Sequence, residues 1–321
     1  MTKVGTDVAR RALEARLIEA GYTLSDAQVL ARHLLQAELF QVRSHGIRRL
    51  AGIIANAATA ATAIPAVSNS RGGLEYAANG QQGIVAMQAA SRAALSRAKV
   101  EGVVVVAVKG FTGTTGELGS YTRWLAAQGV AAIAVCSSEY AVAPFGSSRA
   151  ILGTNPIAIG FPTDDRPFSA DVATAAWSYG RIKEVERAGG ELPLGVVLDA
   201  SGLDSTDPKD ADNGSQLPMA GHKGYALGLA IELLAGPLIG AKAGRDAVPG
   251  GDGALLIVID AALFREESEV VQDAASLLTE IRNAPLRPGS AGIHIPGEGR
   301  PEGWPDQIDI STESLREIGL D

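Results

Sequence analysis

The chain is predicted to be a mixed α/β protein, and three observations carry that prediction. Apolar residues at helical spacing and short β-branched runs alternate from one end to the other. Hydrophobic residues make up 46% of the 321 positions and charged residues 20%, enough for a substantial core and too apolar for wholesale disorder. No internal repeat and no linker of biased composition divides the chain, so its domains are expected to interpenetrate.

The elements follow in order. Asp7 to Ala20 has helical spacing, with Gly21 just past its end. Ser25 to Gln28 reads as a capping box with Ser25 as N-cap, opening a helix through Leu30, Leu34 and Leu35 towards Phe40. Ser44 reads as the next N-cap, which places His45 in the first turn of a further helix. From about Ala60 to Gly83 the chain is rich in Ala, Gly, Pro and Asn, a connection with room for a short strand pair. Gly83 to Ala98 is helical, and Val103 to Val108 is a buried strand. After a glycine-rich loop come a helix at Tyr121 to Ala127 and strands at Val130 to Val135, Ile157 to Phe161 and Phe168 to Val172. Tyr225 to Leu234 reads as a buried core helix, Leu255 to Asp260 as a strand, and Glu266 to Arg282 as a polar-faced helix. The Pro- and Gly-rich stretch from Pro285 to Pro305 precedes a short helix near Ser314.

Composition excludes several functions. Lys and Arg number 28 against 36 Asp and Glu, a net charge of -8, with no basic run of the kind nucleic acid requires. The single cysteine, Cys136, rules out an internal disulfide framework and a multi-cysteine metal site, and a reducing cytosol is the expected compartment. It sits in an apolar strand and reads as core. The N-terminus lacks the apolar centre of a signal peptide. The most apolar stretch, Tyr225 to Ala241, contains Glu232 and Pro237 and is too short to span a bilayer. There is no H-E-x-x-H and no G-x-S-x-G, and four scattered histidines make no protein zinc site. A soluble, cytoplasmic protein without metal, membrane or nucleic acid is expected.

Five segments could carry chemistry. Gly110 to Gly119 follows a strand and precedes a helix, a geometry that can set peptide N–H groups against phosphate. Its glycines recur every third residue, unlike G-x-G-x-x-G, and no Lys closes the loop, so a plain turn is the competing reading. In Arg43-Ser44-His45-Gly46-Ile47-Arg48-Arg49, a helix N-terminus would press the His45 pKa down, and Arg49 would lie on the same face. Such a pair suits proton transfer beside a carboxylate, although a surface or packed histidine with a solvated arginine is the commoner meaning of these residues alone. Lys223, between Gly221 and Gly224, could meet a phosphate or ribose or stay exposed. Asp171 could orient a histidine, bind a ribose hydroxyl or simply cap a turn. Pro296-Gly297-Glu298 alone is a turn.

Together these segments resemble the malate/L-lactate dehydrogenase family of the non-Rossmann type. That family also holds ureidoglycolate, sulfolactate and diketogulonate oxidoreductases and reductases of cyclic imino acids. The resemblance rests on SHGIRRL (Ser44 to Leu50), LGTNPIAIGFP (Leu152 to Pro162), DVATAAWSYGRI (Asp171 to Ile182), LPMAGHKGYALGLAIELLAGPLIGA (Leu217 to Ala241) and PGE (Pro296 to Glu298). It implies a non-Rossmann NAD- or NADP-binding fold and a homodimer with active sites near the subunit interface. Residues 111–227 would form the cofactor domain, and 1–110 with 228–321 the substrate and dimerisation domain. By the same resemblance His45 is the proton donor or acceptor, Arg49 the carboxylate clamp, and Asp171 an aid to the proton path. Ser44 and Thr114 fall on the substrate side. Gly116, Glu117, Leu118, Ser138, Asp171, Val172, Ala173, Thr174, His222, Lys223, Pro296, Gly297 and Glu298, with His45, fall on the cofactor side.

The sequence departs from the family at an informative place. Many members carry a Ser and a second active-site histidine where this chain has Thr112 and Thr114, and Ala51 replaces a frequent Pro. A hydroxyl donates hydrogen bonds but is a poor base near neutral pH, so the proton chemistry falls on His45. The expected reaction is hydride transfer between the nicotinamide and C2 of a small 2-hydroxy or 2-oxo acid. A cyclic imino acid is the alternative substrate, because a protonated C=N needs less acid assistance. A non-catalytic dinucleotide-binding protein is a further reading. Phosphoryl transfer lacks a loop lysine and a magnesium-binding carboxylate pair. Arg123, Arg149, Arg181 and Lys183 are candidates to meet a 2′-phosphate.

Overall fold

The computed structural model describes residues 1–321 except 61, 63, 71, 248–251, 302 and 321. The chain opens with β1 (Thr2–Gly5), α1 (Thr6–Glu19) and α2 (Leu24–Leu39). Two 3-10 turns, Arg43–His45 and Ile47–Arg49, lead into α3 (Leu50–Ala55) and α4 (Ala57–Ala60). A hairpin of β2 (Ala66–Ser70) and β3 (Gly73–Ala77) precedes α5 (Gly83–Glu101) and β4 (Val103–Lys109). Then come α6 (Leu118–Ala126), β5 (Val130–Cys136), β6 (Ile157–Phe161), β7 (Phe168–Val172) and α7 (Tyr179–Arg187). Short elements follow: β8 (Val197–Leu198), β9 (Asp204–Ser205), α8 (Asp210–Asn213) and β10 (Ser215–Gln216). The chain closes with α9 (His222–Ala235), β11 (Gly253–Asp260), α10 (Glu267–Arg282), β12 (Gln307–Ile310) and α11 (Thr312–Glu317).

The mixed α/β class stands, in the form of a sheet ordered β2-β3-β4-β11-β5-β6-β7. Within it β3 and β4 pair in parallel across the α5 crossover, and the other neighbours are antiparallel. This topology assembles the site. β4 and β5 both run against the intervening β11, so Lys109 pairs with Gly253 and Cys136 with Ala254. The loops after Lys109 and Cys136, and the residue ahead of Gly253, therefore meet at one end of the sheet.

Two clusters hold the fold. Ala86, Met87, Ala90, Ala94 and Ala98 of α5 pack with Val104, Val106 and Val108, the alanines letting the helix approach the strand closely. The second joins Leu13, Leu17, Leu30, Leu34, Leu35 and Ile47 to Ile308 and Ile310 on the β1–β12 ribbon. A smaller sheet, β10-β8-β9, packs with α7, which also contacts the Arg43–His45 turn.

Three expectations need correction. Val103 to Val108 is buried on one face only, with Val103 and Val105 exposed. The helix at Tyr225 to Leu234 is no fully buried core helix, because Leu233 and Leu234 face outward while Ile231 packs with Val135 and Leu255. The N-cap of α2 is Thr23 rather than Ser25, its Oγ1 accepting from the Asp26 N–H at 3.1 Å. The other strands and helices fall close to where the periodicity puts them, and Ala66–Ser70 with Gly73–Ala77 forms the short strand pair. No helix among the described residues is long and apolar enough to cross a membrane.

Candidate active site

The 43–49 segment is built around Glu38. This carboxylate, 3% exposed at the end of α2, accepts from the Ile47 N–H at 2.9 Å. Gly46 lies so close that a Cβ there would stand 2.3 Å from Glu38 Oε1. The backbone therefore breaks at Gly46 into two 3-10 turns, and α3 starts only at Leu50. Ser44 is consequently not the N-cap of a helix, and His45 is not in a first helical turn. Ser44 Oγ instead meets His45 Nδ1 at 3.0 Å. The His45 pKa is indeed lowered, to about 4, but by burial first and then by Arg49, with Glu117 opposing. Arg49 folds back so that its Nε donates to the Ser44 carbonyl at 2.7 Å, in place of the expected helical i, i+4 relation.

The glycine-rich loop is tied down by its own protein. The Gly116 N–H donates to Thr114 Oγ1 at 3.0 Å, the Glu117 N–H to His33 Nε2 at 3.0 Å, and the Gly119 N–H to Asp171 Oδ2 at 2.7 Å. The N–H groups of Gly116, Glu117 and Gly119 are therefore committed within the protein. Gly116 adopts φ +71, and a Cβ there would stand 2.1 Å from His33 Nε2. His33 lies buried against Tyr121, and burial lowers its pKa to about 4.

Glu117 and Asp171 have structural partners. Burial alone would raise the Glu117 pKa, but Arg123, at 3.5 Å, and Arg300 hold it below the ordinary value. Asp171 caps the start of α6 from β7, and burial raises its pKa to about 6. On the sheet side, Ser138 Oγ accepts from the Thr154 N–H at 3.0 Å, and Thr174 Oγ1 donates to the Thr154 carbonyl at 3.1 Å. Through its backbone, Thr154 thus links Ser138 to Thr174 at the end of the 171–174 segment.

These pieces enclose a cavity of about 390 Å³. His45, Arg49, Thr114, Gly116 and Ser138 line it together. The remaining sequence-derived residues lie outside that lining. Val172 is exposed, Ala173 is half-buried and Thr174 is buried beneath Thr154. His222 and Lys223 start α9 in the open, with the His222 ring edge-on to Phe145. The Pro296 carbonyl accepts from the Ser169 N–H, Gly297 packs on Ser169, and Glu298 pairs with Arg282. Of the cations considered for a 2′-phosphate, Arg123 is committed to Glu117 and Phe40, and Lys183 to Glu186 and Asp212. Arg181 stacks over Trp177.

Sequence reasoning missed several lining residues: Asn56, Ser137, Glu139, Thr154 and Asp252. Asp252, in a Gly-Gly-Asp-Gly stretch, looks like a turn former, and only the pairing of β11 with β4 and β5 carries it here. Cys136 also lines the cavity, but burial pushes its thiol up to about 12 and leaves it inert at neutral pH.

The malate/L-lactate dehydrogenase family profile matches residues 4–307. The L-sulfolactate dehydrogenase of Methanothermobacter thermautotrophicus is 36% identical over 224 residues, 67% of this chain and 63% of that protein. The Delta(1)-pyrroline-2-carboxylate reductase of Ancylobacter novellus is 33% identical over 302 residues, 88% of this chain and 86% of the relative. The solved sulfolactate dehydrogenase of Methanocaldococcus jannaschii superposes with a TM-score of 0.88 at 30% identity, covering 99% of this chain and 95% of that one.

Proposed function

The chain belongs to the malate/L-lactate dehydrogenase family and is an oxidoreductase, and from that premise we propose that it transfers a hydride between a nicotinamide cofactor and C2 of a small 2-hydroxy or 2-oxo acid. The observation that carries this reading is the shared cavity of His45 and Arg49, the one a neutral imidazole and the other a guanidinium held by the Ser44 carbonyl.

The lining suits the cofactor. A volume of about 390 Å³ falls in the range of small-molecule sites. The hydroxyls of Thr114, Ser138 and Thr154 match an uncharged carboxamide and ribose, and the N–H groups of Gly116, Glu117 and Gly119 are already engaged within the protein. Thr114, Gly116 and Ser138 would hold the nicotinamide end. The 171–174 segment, His222, Lys223 and Pro296 to Glu298 would serve the rest of an NAD or NADP molecule. When bound, the cofactor supplies or accepts the hydride.

The protein supplies position and a proton site. Arg49 presents a planar fork to the substrate carboxylate. Neutral His45 acts as a base on the 2-hydroxyl when its Nε2 is unprotonated, so that Nδ1–H donates to Ser44 Oγ. In the reductive direction His45 must first take up a proton, and a bound carboxylate favours that by raising its pKa. A cyclic imino acid is the second reading. It is favoured by Thr114, whose hydroxyl accepts from the Gly116 N–H and supplies no second acid. The exposed apolar residues Val103, Val105, Leu233 and Leu238 support a homodimer.

The test is absorbance at 340 nm with NADH and NADPH in turn, against a panel of 2-oxo acids and cyclic imino acids. Oxidation of a reduced cofactor by a carboxylate-bearing acceptor is the expected result. Cofactor binding with silence across the panel would contradict the reading.

A further inference from the structure

The cavity contains a carboxyl group that the reaction described so far does not use. Asp252 immediately precedes β11, where Gly253 is fixed by three hydrogen bonds with Ser137, its N–H donating to Ser137 Oγ at 3.1 Å and its carbonyl accepting from the Ser137 N–H at 2.9 Å and from Ser137 Oγ at 3.3 Å. Asp252 Oδ1 is buried without a hydrogen-bond partner among the described residues. Glu139, just beyond β5, lines the same space. Arg49 is the sole Lys or Arg among the lining residues, and His45 is neutral at pH 7. The cavity lining thus combines one guanidinium with two carboxyl groups.

A buried acceptor without a donor costs free energy until a ligand supplies one. A second anionic group on the substrate would face both Asp252 and Glu139. A positively charged N–H beside the substrate carboxylate would complement the guanidinium and the carboxyl groups together. We propose that Asp252, backed by Glu139, is a specificity-determining residue that selects substrates carrying a cationic nitrogen next to the carboxylate. This deepens the function proposed above and rests on its carboxylate clamp. It names the chemical class as a protonated imino acid, with the corresponding cyclic amino acid as product. Such a substrate brings its own proton. Hydride addition at C2 sends the C=N π pair to nitrogen and leaves a neutral amine, with no proton donated by the protein in that step.

Selection should also depend on pH. Burial first, then Glu139 and Glu232, push the Asp252 carboxyl up to about 7. The charged and titratable groups around it are His45 and Arg49 from the 43–49 turns, Cys136 and Glu139 at the end of β5, and Glu232 on α9. Asp252 is therefore charged, and selective, above about pH 7.

The test is calorimetric binding of L-proline and L-lactate to the full chain with reduced cofactor bound, so that neither acid can react. The wild type should prefer L-proline, more strongly as pH rises through about 7. Asp252→Asn should shift the ratio of the two dissociation constants by about ten- to hundredfold towards L-lactate and flatten its pH dependence. Glu139→Gln should shift the ratio in the same direction by less. An unchanged ratio in Asp252→Asn, or a loss confined to cofactor affinity, would overturn the assignment. A wild type that binds cofactor but neither acid would overturn the carboxylate clamp itself, and this inference with it.

Discussion

His45 owes its chemistry to where it is buried. Its low pKa keeps it a neutral imidazole at neutral pH, and in the proposed mechanism the Ser44 contact at Nδ1 leaves Nε2 for the substrate. With a 2-oxo acid, His45→Ala should lower turnover by roughly 10²–10⁴, because a positioned acid is lost. With a protonated imine the loss should be much smaller. Equal losses on both substrates would remove His45 from the proton path. His33 makes a separate prediction about stability. Its folded pKa, about 4, lies below the ordinary 6.5, so the unfolded chain binds the proton more readily. The stability of the neutral buried form is intact above about pH 6.5 and drains away as pH falls towards about 4, by about 3 kcal/mol. His33→Gln, which keeps an acceptor but cannot titrate, should flatten the acid limb of a denaturant-midpoint profile. Superimposable limbs would refute the cause. At this scale His45 and Arg49 were legible because they are neighbours in sequence. Asp252 and Glu139 were not, since no local pattern links them to position 45.

The element that decides the site is the pair of 3-10 turns around Gly46. A serine followed by charged and apolar residues reads locally as a helix start, and the sequence carries no sign that Glu38 will take the Ile47 N–H. Tertiary contact overrides local propensity here, as it does at α2, where Thr23 beats Ser25 for the cap. Gly46→Ala would drive a Cβ into Glu38 and displace the turn. Activity should fall at least tenfold, with a loss of about 1–3 kcal/mol in stability from overpacking. Unaltered kinetics in a folded Gly46→Ala protein would show that the turn does not position His45. The strands and long helices were easier to read, because their apolar periodicity is set by the sheet and helix packing that form the core. The outward faces of β4 and α9 were not, because apolar composition alone does not say which apolar face another surface will cover.

At the scale of the whole molecule, an antiparallel strand inserted between two parallel ones gathers distant residues at one sheet end. It also leaves Val103 and Val105 exposed on the sheet face to which Leu255 and Ile257 of β11 also belong. The account predicts a dimer of this 33.0 kDa chain in sedimentation velocity. Leu233→Glu, a change at an exposed apolar position of α9, should shift it towards monomer. A wild-type monomer at micromolar concentration would contradict that surface assignment. The central claim is that substrate binds by its carboxylate at Arg49, in the cavity shared with His45. Its most direct test is the KM of Arg49→Gln for an acid that the wild type turns over, with cofactor affinity measured alongside. The account predicts a rise of about ten- to hundredfold in KM, the loss of a charged hydrogen-bonded pair, with cofactor affinity little altered. A KM equal to that of the wild type would contradict it.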